Sequence, residues 1–316
     1  MPSVLRAAAV ASLGIAAAAA VYAVAIERRA YRVRHEIVPV LAPGADPIRV
    51  LHLSDLHLAP WQREKIAWVR SLAALKPDLV VNTGDNLGHV DALPALVEAL
   101  LPFDGVPGVF VHGSNDYFAP SPKNPFRYLL GPSKGETESA TPLDTEALEA
   151  LLHDRLGWQS LNNAVAQLTI NGSILEFMGT NDAHRGWDRL DHLPGLVDAL
   201  RELDDDDTDD PAVMIGVTHA PYQRVLNAFT TQSADLIFAG HTHGGQVCVP
   251  GVGALTTNCD LPRDRARGLS VWNHAHQASY LTVSAGIGTS IYAPVRFACP
   301  PEAVLVTLVG DDIGYS

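Results

Sequence analysis

The stretch RVLHLSDLH, residues 49–57, reads as an apolar strand that ends in two metal-ligand side chains, Asp55 and His57. The same pattern recurs four times downstream. DLVVNTGD ends at Asp85, GVFVHGSND at Asn115 and Asp116, AVMIGVTH at His219, and DLIFAGHTH at His241 and His243. Ligands of open α/β sheets bind beyond the carboxyl ends of the strands, so strands sharing that edge would carry all of these side chains to one place. Carboxylates, amides and imidazoles suit hard and borderline divalent cations. Residues i and i+2 just past a strand can point into one cleft, and Gly84 and Gly240 permit tight turns before Asp85 and His241. Seven candidates, Asp55, His57, Asp85, Asn115, His219, His241 and His243, exceed the need of one tetrahedral zinc. They suit two adjacent ions bridged by one carboxylate. A lone Asp-x-His is ordinarily a surface turn, and a lone histidine ordinarily a core or surface residue. The ordered set, each member at a strand end, carries the reading.

Around these segments the chain alternates between strand-like and helix-like patterns. Apolar runs at 49–53, 79–81, 109–111, 174–178, 213–217, 236–239, 280–283 and 303–308 read as strands. Ile66, Val69, Leu72, Ala73 and Leu75 recur at helical spacing, as do Leu148, Leu151, Leu152 and Leu156, and Leu193, Leu196, Val197 and Leu200. Such alternation indicates an α/β sandwich. Proline and glycine between Pro120 and Pro142 mark a long irregular insertion. Its apolar residues Phe118, Phe126, Tyr128, Leu129 and Leu130 would form a lip over the cleft or a cover for the domain's own core. The acidic run Asp204–Asp207 with Asp209 and Asp210 lacks the spacing and glycine turn of a calcium loop and reads as solvated.

The 316 residues carry a formal net charge of -13, which repels nucleic-acid backbones and argues against a nucleic-acid partner. A phosphorylated substrate remains compatible, because bound cations reverse the local field. Three cysteines, Cys248, Cys259 and Cys299, form neither a disulfide framework nor a CxxC zinc pair and read as idle thiols. Near the N-terminus, residues 7–26 contain no charge, and twenty helical residues span about 30 Å, the thickness of a bilayer core. Arg28, Arg29, Arg32 and Arg34 follow this run. They favour a retained single-pass anchor over a cleaved signal and place the catalytic domain on the cytoplasmic side of the cell membrane. The expected division is 1–45, a hydrophobic anchor with a basic linker, and 46–316, a catalytic domain.

The order Asp55-x-His57, Gly84-Asp85, Gly113 to Asp116, His219 and Gly240-His241-x-His243 resembles the calcineurin-like metallophosphoesterases. The tracts AGHTHGGQVCVPGVGAL, from Ala239, and SAGIGTSIYAPVRFACPPE, from Ser284, are similar to the membrane-associated bacterial branch of that family. The resemblance implies a four-layer α-β-β-α sandwich of two mixed sheets. It implies two metal ions, and mixed aspartate, asparagine and histidine ligation suits divalent Mn, Fe or Zn. Asp55, His57, Asp85 and His243 would hold one; Asp85, the residue at the Gly-Ser-Asn-Asp motif, His219 and His241 would hold the other, with Asp85 as the bridge. Where the family carries Gly-Asn-His, this chain has Gly113-Ser114-Asn115. An amide oxygen is the better ligand, which favours Asn115 over Ser114. The same departure removes the motif histidine that could protonate a leaving group, since asparagine has no titrating proton. His112 and Asp116 are the catalytic candidates nearest in sequence; His89 is a third.

The expected activity is hydrolysis of a phosphate ester or pyrophosphate bond by a metal-bridging hydroxide. The substrate would be a phosphorylated small molecule or a phospholipid-like, lipid-linked phosphate reached through the membrane anchor. Rival readings are a phosphodiesterase or nucleotide hydrolase acting on soluble substrates, and a catalytically silent metal-binding scaffold. The intact set of six aspartate and histidine ligands weighs against the scaffold, and an assay of metal uptake with aryl phosphate esters separates the two.

Overall fold

The computed structural model describes residues 2–122, 140–202 and 212–311. Most of the expected lip, including Phe126, Tyr128, Leu129 and Leu130, lies outside the described residues, as do Asp204–Asp207, Asp209 and Asp210.

Among the described residues the strands are β1 (Arg32–Leu41), β2 (Ile48–Leu53), β3 (Leu79–Asn82), β4 (Gly108–Phe110), β5 (Gln159–Ser160), β6 (Val165–Ile170), β7 (Ser173–Gly179), β8 (Val213–Thr218), β9 (Leu236–Ala239), β10 (Cys248–Val249), β11 (Gly253–Ala254), β12 (Gly268–His274), β13 (Gln277–Val283) and β14 (Glu302–Gly310). The α-helices are α1 (Pro2–Val21), α2 (Arg63–Ser71), α3 (Leu93–Leu100), α4 (Ser114–Tyr117), α5 (Thr145–Glu149), α6 (Leu193–Glu202) and α7 (Gln223–Thr231). One mixed sheet has the order β1-β14-β2-β3-β4-β5 and the other β12-β13-β9-β8-β7-β6, with β10-β11 a small hairpin.

Period-two alternation explains why the sheets pack as they do. Val50, Leu79, Val81 and Val109 of the first sheet meet Leu175, Phe177, Ile215, Val217 and Phe238 of the second in one buried layer. The intervening Leu51, Leu53, Val80 and Phe110 face outward onto Ile66 and Val69 of α2, Leu96 and Leu100 of α3, and Leu148 of α5. On the other side Met214, Ile237 and Leu281 pack under Leu193 and Val197 of α6 and Val225, Leu226 and Phe229 of α7. Central strands are apolar on both faces because both faces are covered. The result is the expected four-layer α-β-β-α sandwich.

The segment expected to be a basic linker is in part a strand. β1 pairs in parallel with β14 from Arg32↔Glu302 to Leu41↔Gly310. Its Pro39 sits at the sheet edge, beside a register shift, where a missing N–H is tolerated. The arginines mask the strand in the sequence, yet they are bound: Arg32 and Arg34 both donate to Glu302, at 2.8 Å and 3.1 Å. Val38 and Leu41 are buried. The sheet therefore begins at Arg32 and not after residue 45. A chain starting at Tyr31 loses the contacts of Ala23 and Glu27 but keeps β1, while one starting at Asp46 should lose about a further 3–6 kcal/mol, the burial of two aliphatic side chains. Urea unfolding of the two truncations compares them directly, and equal midpoints would refute the assignment of β1 to the sheet.

Candidate metal centre

β2, β3 and β4 run parallel in the first sheet, and β8 and β9 run parallel in the second. Their carboxyl ends meet at one rim of the sandwich, and the chain turns sharply there. Asp55, His57, Asp85, His241 and His243 have φ angles of 50°, 40°, 56°, 66° and 48°. This left-handed region costs a non-glycine residue about 1–3 kcal/mol, and such strain clusters at functional sites. Continued pairing beyond the strands holds the turns: the N–H groups of Asp55 and His57 donate to the carbonyls of Gly84 and Asp85, each at 2.9 Å. Glycine is required where the turns crowd together. A Cβ at Gly113 would overlap the Asp85 carboxylate and the His219 ring, and one at Gly240 would overlap Ser54 and Asp55.

The turns bring the side chains into contact across the two sheets. His57 Nε2 lies 3.3 Å from His243 Nε2 and 3.5 Å from Asp85 Oδ2. Asp55 Oδ1 is 3.6 Å from His243 Nε2, and Asp85 Oδ2 is 3.6 Å from His219 Nε2. Asp85 thus reaches both His57 and His219. Two groups could each hold an ion, Asp55 with His57 and His243, and Asp55 with Asp85 and His219. The donor atoms fit such a role. Among the described residues, Asp55 Oδ1 and His219 Nε2 are buried without a hydrogen-bond partner, which buried polar atoms ordinarily have. The other His219 nitrogen, Nδ1, is 2.8 Å from the Thr83 carbonyl, the kind of outer contact that orients a ligating imidazole. His241 stands at the edge of this arrangement. Its Nε2 is 3.2 Å from the Asn258 carbonyl, and its ring centroid is 5.2 Å from that of His219. With Nε2 donating, the lone pair is on Nδ1.

Asn115 is the residue of the Gly-Ser-Asn-Asp turn that reaches Asp85. Its backbone N–H donates to Asp85 Oδ1 at 2.9 Å and its amide nitrogen to Oδ2 at 2.7 Å. Against the penalty of burial, His219, His57 and these two bonds hold the Asp85 carboxyl well below the usual range. Burial pushes Asp55 the other way, upward. Burial also opposes charging of His219, but Asp85, Asp182 and Asp55 outweigh it and raise its pKa to about 9. Burial keeps His57 low, and His241 and His243 well below the ordinary imidazole value, so these rings are neutral with a lone pair to offer.

The two expected proton donors lie elsewhere. His112 alternates with Val111 and points into the outer layer, stacked on Phe110 at 5.4 Å, edge-on to Tyr117 and 3.4 Å from Glu149. Burial lowers its pKa to about 4. Among the described residues, the contacts of its ring are with these three and not with the cluster. Asp116 is a buried acceptor. Its Oδ2 takes the N–H groups of Asp85 and Gly113, at 2.7 and 3.0 Å, and its Oδ1 takes that of Asn86 at 2.7 Å. It splints the Asp85 turn to the Gly113 turn. The third candidate, His89, sits edge-on to Trp61 and 3.5 Å from Asp91.

A sixth strand end also reaches the rim. β7 is followed by Asp182 and His184. Asp182 is buried, which raises its carboxyl to about 6, and His219 and Asp85 both act on it. The His184 ring lies 4.5 Å from that of His241, with its Nδ1 3.0 Å from the Tyr222 hydroxyl. The signal was present in the sequence: the run at 174–178 is followed, like the other five, by metal-ligand residue types, here Asp182 and His184.

The floor under Asp55 comes from the SAGIG tract. The N–H groups of Ile287 and Gly288 donate to the Ser54 and Asp55 carbonyls at 3.1 and 2.6 Å. The buried Arg296 guanidinium fixes this loop through the carbonyls of Ala285, Gly286, Gly288 and Cys299. Cys248, Cys259 and Cys299 are free and buried.

Residues 48–245 match the model of the calcineurin-like phosphoesterase family. The chain is 25% identical over 272 residues to an uncharacterized metallophosphoesterase of Aquifex aeolicus, covering 85% of this chain and 87% of that protein. It is 26% identical over 234 residues to a transmembrane protein with metallophosphoesterase domain of Bos taurus, covering 70% of this chain and 46% of that one. A 5'-nucleotidase precursor from Thermus thermophilus superposes with a TM-score of 0.46 at 12% identity, over 83% of this chain; the chain spans about half, 55%, of that structure. A family match that begins at β2 and ends just beyond His243 takes in the whole rim, and the chain belongs to the calcineurin-like phosphoesterase family.

Proposed function

We propose that the chain is a binuclear metal-dependent phosphoric ester hydrolase. The observation that carries this reading is the convergence of Asp55, His57, Asp85, His219 and His243 from strand-end turns, with two buried donor atoms left without partners among the described residues. Asp55, His57, Asp85 and His243 would hold one ion, and Asp85, Asn115, His219 and His241 the other. Ions of the Mn, Fe or Zn class would supply Lewis acidity toward phosphoryl oxygens and ionise water at neutral pH. The protein's part is geometric. Ser54 donates to Asp55 Oδ2 at 2.5 Å, the His241 N–H donates to the same oxygen at 3.1 Å, and Asp116 fixes the Asp85 turn. Such contacts hold the ligands in place before a substrate arrives.

Loading the site has a proton cost that follows from its electrostatics. Without ions His219 carries a proton up to pH about 9. A ligating nitrogen must be deprotonated, so cation affinity should fall about tenfold per pH unit below that value and level off above it. Titration of Mn into chelated protein at pH 7, in buffers of different ionisation enthalpy, should show net proton release. A proton count of zero would remove His219 from the ligand set.

The ligand and positioning roles are separable. Asp85→Asn should lose bound metal and aryl phosphate hydrolysis together, by more than the ~10–100-fold typical of outer contacts, while Asp116→Asn should fall within that range. Metal content and kcat/KM of both variants decide the matter; a metal-free wild-type chain with full activity would end the metal-dependent reading.

We further infer that α1 and the turns after it form a single-pass anchor, with the domain on the cytoplasmic side and a lipid-linked phosphate among its substrates. Residues Val10–Arg29 have a mean hydropathy of 1.9 and are 11% buried. Because Arg32 and Arg34 are matched by Glu302 and Glu36, the flanking positive charge is that of Arg28 and Arg29. Protease added to intact spheroplasts should leave the domain uncut, and protease added to inverted vesicles should digest it; the opposite pattern reverses the sidedness.

A further inference from the structure

Arg185 is a cation with no bonded anion among the described residues. Its guanidinium lies over the rings of Phe118 and Trp187, 5.9 and 6.0 Å from their centroids. Its Nε and Nη1 are buried and have no hydrogen-bond partner among those residues. Arg296 is engaged with four carbonyls, Arg34 with Glu302 and Arg224 with Asp188, whereas Arg267, beside the Gly244 turn, also has a buried nitrogen without a partner among the described residues. An aromatic cradle orients a guanidinium without cancelling its charge. A partly desolvated charge left unpaired is unfavourable, and an incoming oxyanion removes that penalty.

Its position is set by contacts on both sides of the metal centre. Phe118 caps the turn whose Asn115 bonds Asp85, and Tyr117 of the same turn packs edge-on to Trp187 at 5.0 Å. On the other side His184, the preceding residue, lies against His241. Asp182, three residues earlier, feels His219, Asp85 and Arg185 together. The guanidinium therefore stands at the mouth of the cluster, between the Asn115 turn and the His241 turn. The charge count gives it a task. Asp55, Asp85, Asp116 and Asp182 are buried carboxylates whose four formal charges match those of two divalent cations. A loaded centre would then be close to neutral, and Arg185 is a fixed positive group available to an anionic substrate.

We propose that Arg185 receives a second phosphoryl group of the substrate on its leaving side, so that the substrate class is a phosphoric anhydride, two phosphorus atoms joined by one oxygen. This rests on the hydrolase reading above. In the step, an oxygen of water bonds to one phosphorus and the bond from that phosphorus to the bridging oxygen breaks. The bond's electron pair stays on the departing phosphate, and the water's protons pass to solvent; nothing is oxidised or reduced. A departing phosphate is a stable anion at neutral pH. It needs no proton donor, in keeping with Asn115 at the motif position and with the placement of His112 and Asp116. It does need its charge met, and a guanidinium fork matches phosphate oxygens two at a time.

The test compares inorganic phosphate with imidodiphosphate, an anhydride analogue with a nitrogen bridge, by calorimetric titration of the full-length chain at saturating Mn. The wild type should bind imidodiphosphate at least about tenfold more tightly than phosphate, and Arg185→Met should reduce that preference to about two- to threefold. Arg185→Lys keeps the charge and loses the fork, so an intermediate preference is expected, and it guards against a folding defect in the methionine variant. An unchanged preference in Arg185→Met, or none in the wild type, overturns the proposal. Because binding needs no turnover, a protein inert toward every ester and anhydride would sink the hydrolase reading while the role of Arg185 is still decided by the titration.

Discussion

The rim is governed by the need to hold several carboxylates together out of water. Asp55, Asp85, Asp116 and Asp182 are all buried. Two unit charges 4 Å apart repel by about 4 kcal/mol at the effective dielectric of a protein. The chain manages this with donors of three kinds. Backbone N–H groups of the turns point at Asp116 and at one oxygen of Asp55. Side-chain donors, Ser54 and Asn115, meet Asp55 and Asp85. His219 keeps a proton that it would lose in water at the same pH. The left-handed backbone follows from the first of these. A chain leaving a parallel strand must reverse within two residues to aim both an N–H and a ligand side chain inward, and the left-handed conformation does so. Cations held by these residues would replace the held proton and relieve the remaining repulsion, so strain in the turns and an affinity for metal would be two sides of one design.

Alternation explains what can and cannot be read from residue order. The central strands are continuous apolar runs because both faces are covered, and each run read as a strand either belongs to β2, β3, β8, β9 or β13 or pairs with one of them. The edge strands β6 and β12 mix polar with apolar residues, as in VAQLTI and GLSVWNH, and so look like loops. β1 looks like a basic linker for the same reason, its arginines being matched by a glutamate some 270 positions away. Residue order cannot display a pairing over that distance. The candidate ligands are legible because each sits just past a strand, where face no longer alternates. His112 misleads because, although it lies two residues past β4 as Asp55 does past β2, pairing continues there from the Val111 N–H to the Asn82 carbonyl, and its ring follows that of Phe110 to the outer layer. Asp116 is at the right place with a different task, since its type says only that it can accept or donate, whereas its three backbone partners settle that it accepts. Asp182 and His184 show the converse, a strand end with the right residue types that lacks a short motif to draw attention to it.

The far side of Asp55 connects the centre to the N-terminal helix. Gly286 and Gly288 leave room for the backbone and side chain of Asp55, and the Arg296 guanidinium holds both of their carbonyls. The next turn of that same segment is fastened to the end of the apolar helix. The buried Glu27 carboxylate accepts the N–H groups of Ala298 and Cys299 at 2.9 and 2.5 Å, and the Arg296 N–H donates to the Ala23 carbonyl at 3.2 Å. Tyr22 meets Phe297 edge-on at 6.3 Å. A flexible tether would need none of these contacts, and a glutamate would not be buried at the end of an apolar helix without donors waiting for it. The helix is therefore a fixed part of the wall behind Asp55. Whatever surface or partner covers its exposed face also fixes the direction in which the metal centre opens, because a short relay of hydrogen bonds, and no loose linker, lies between them.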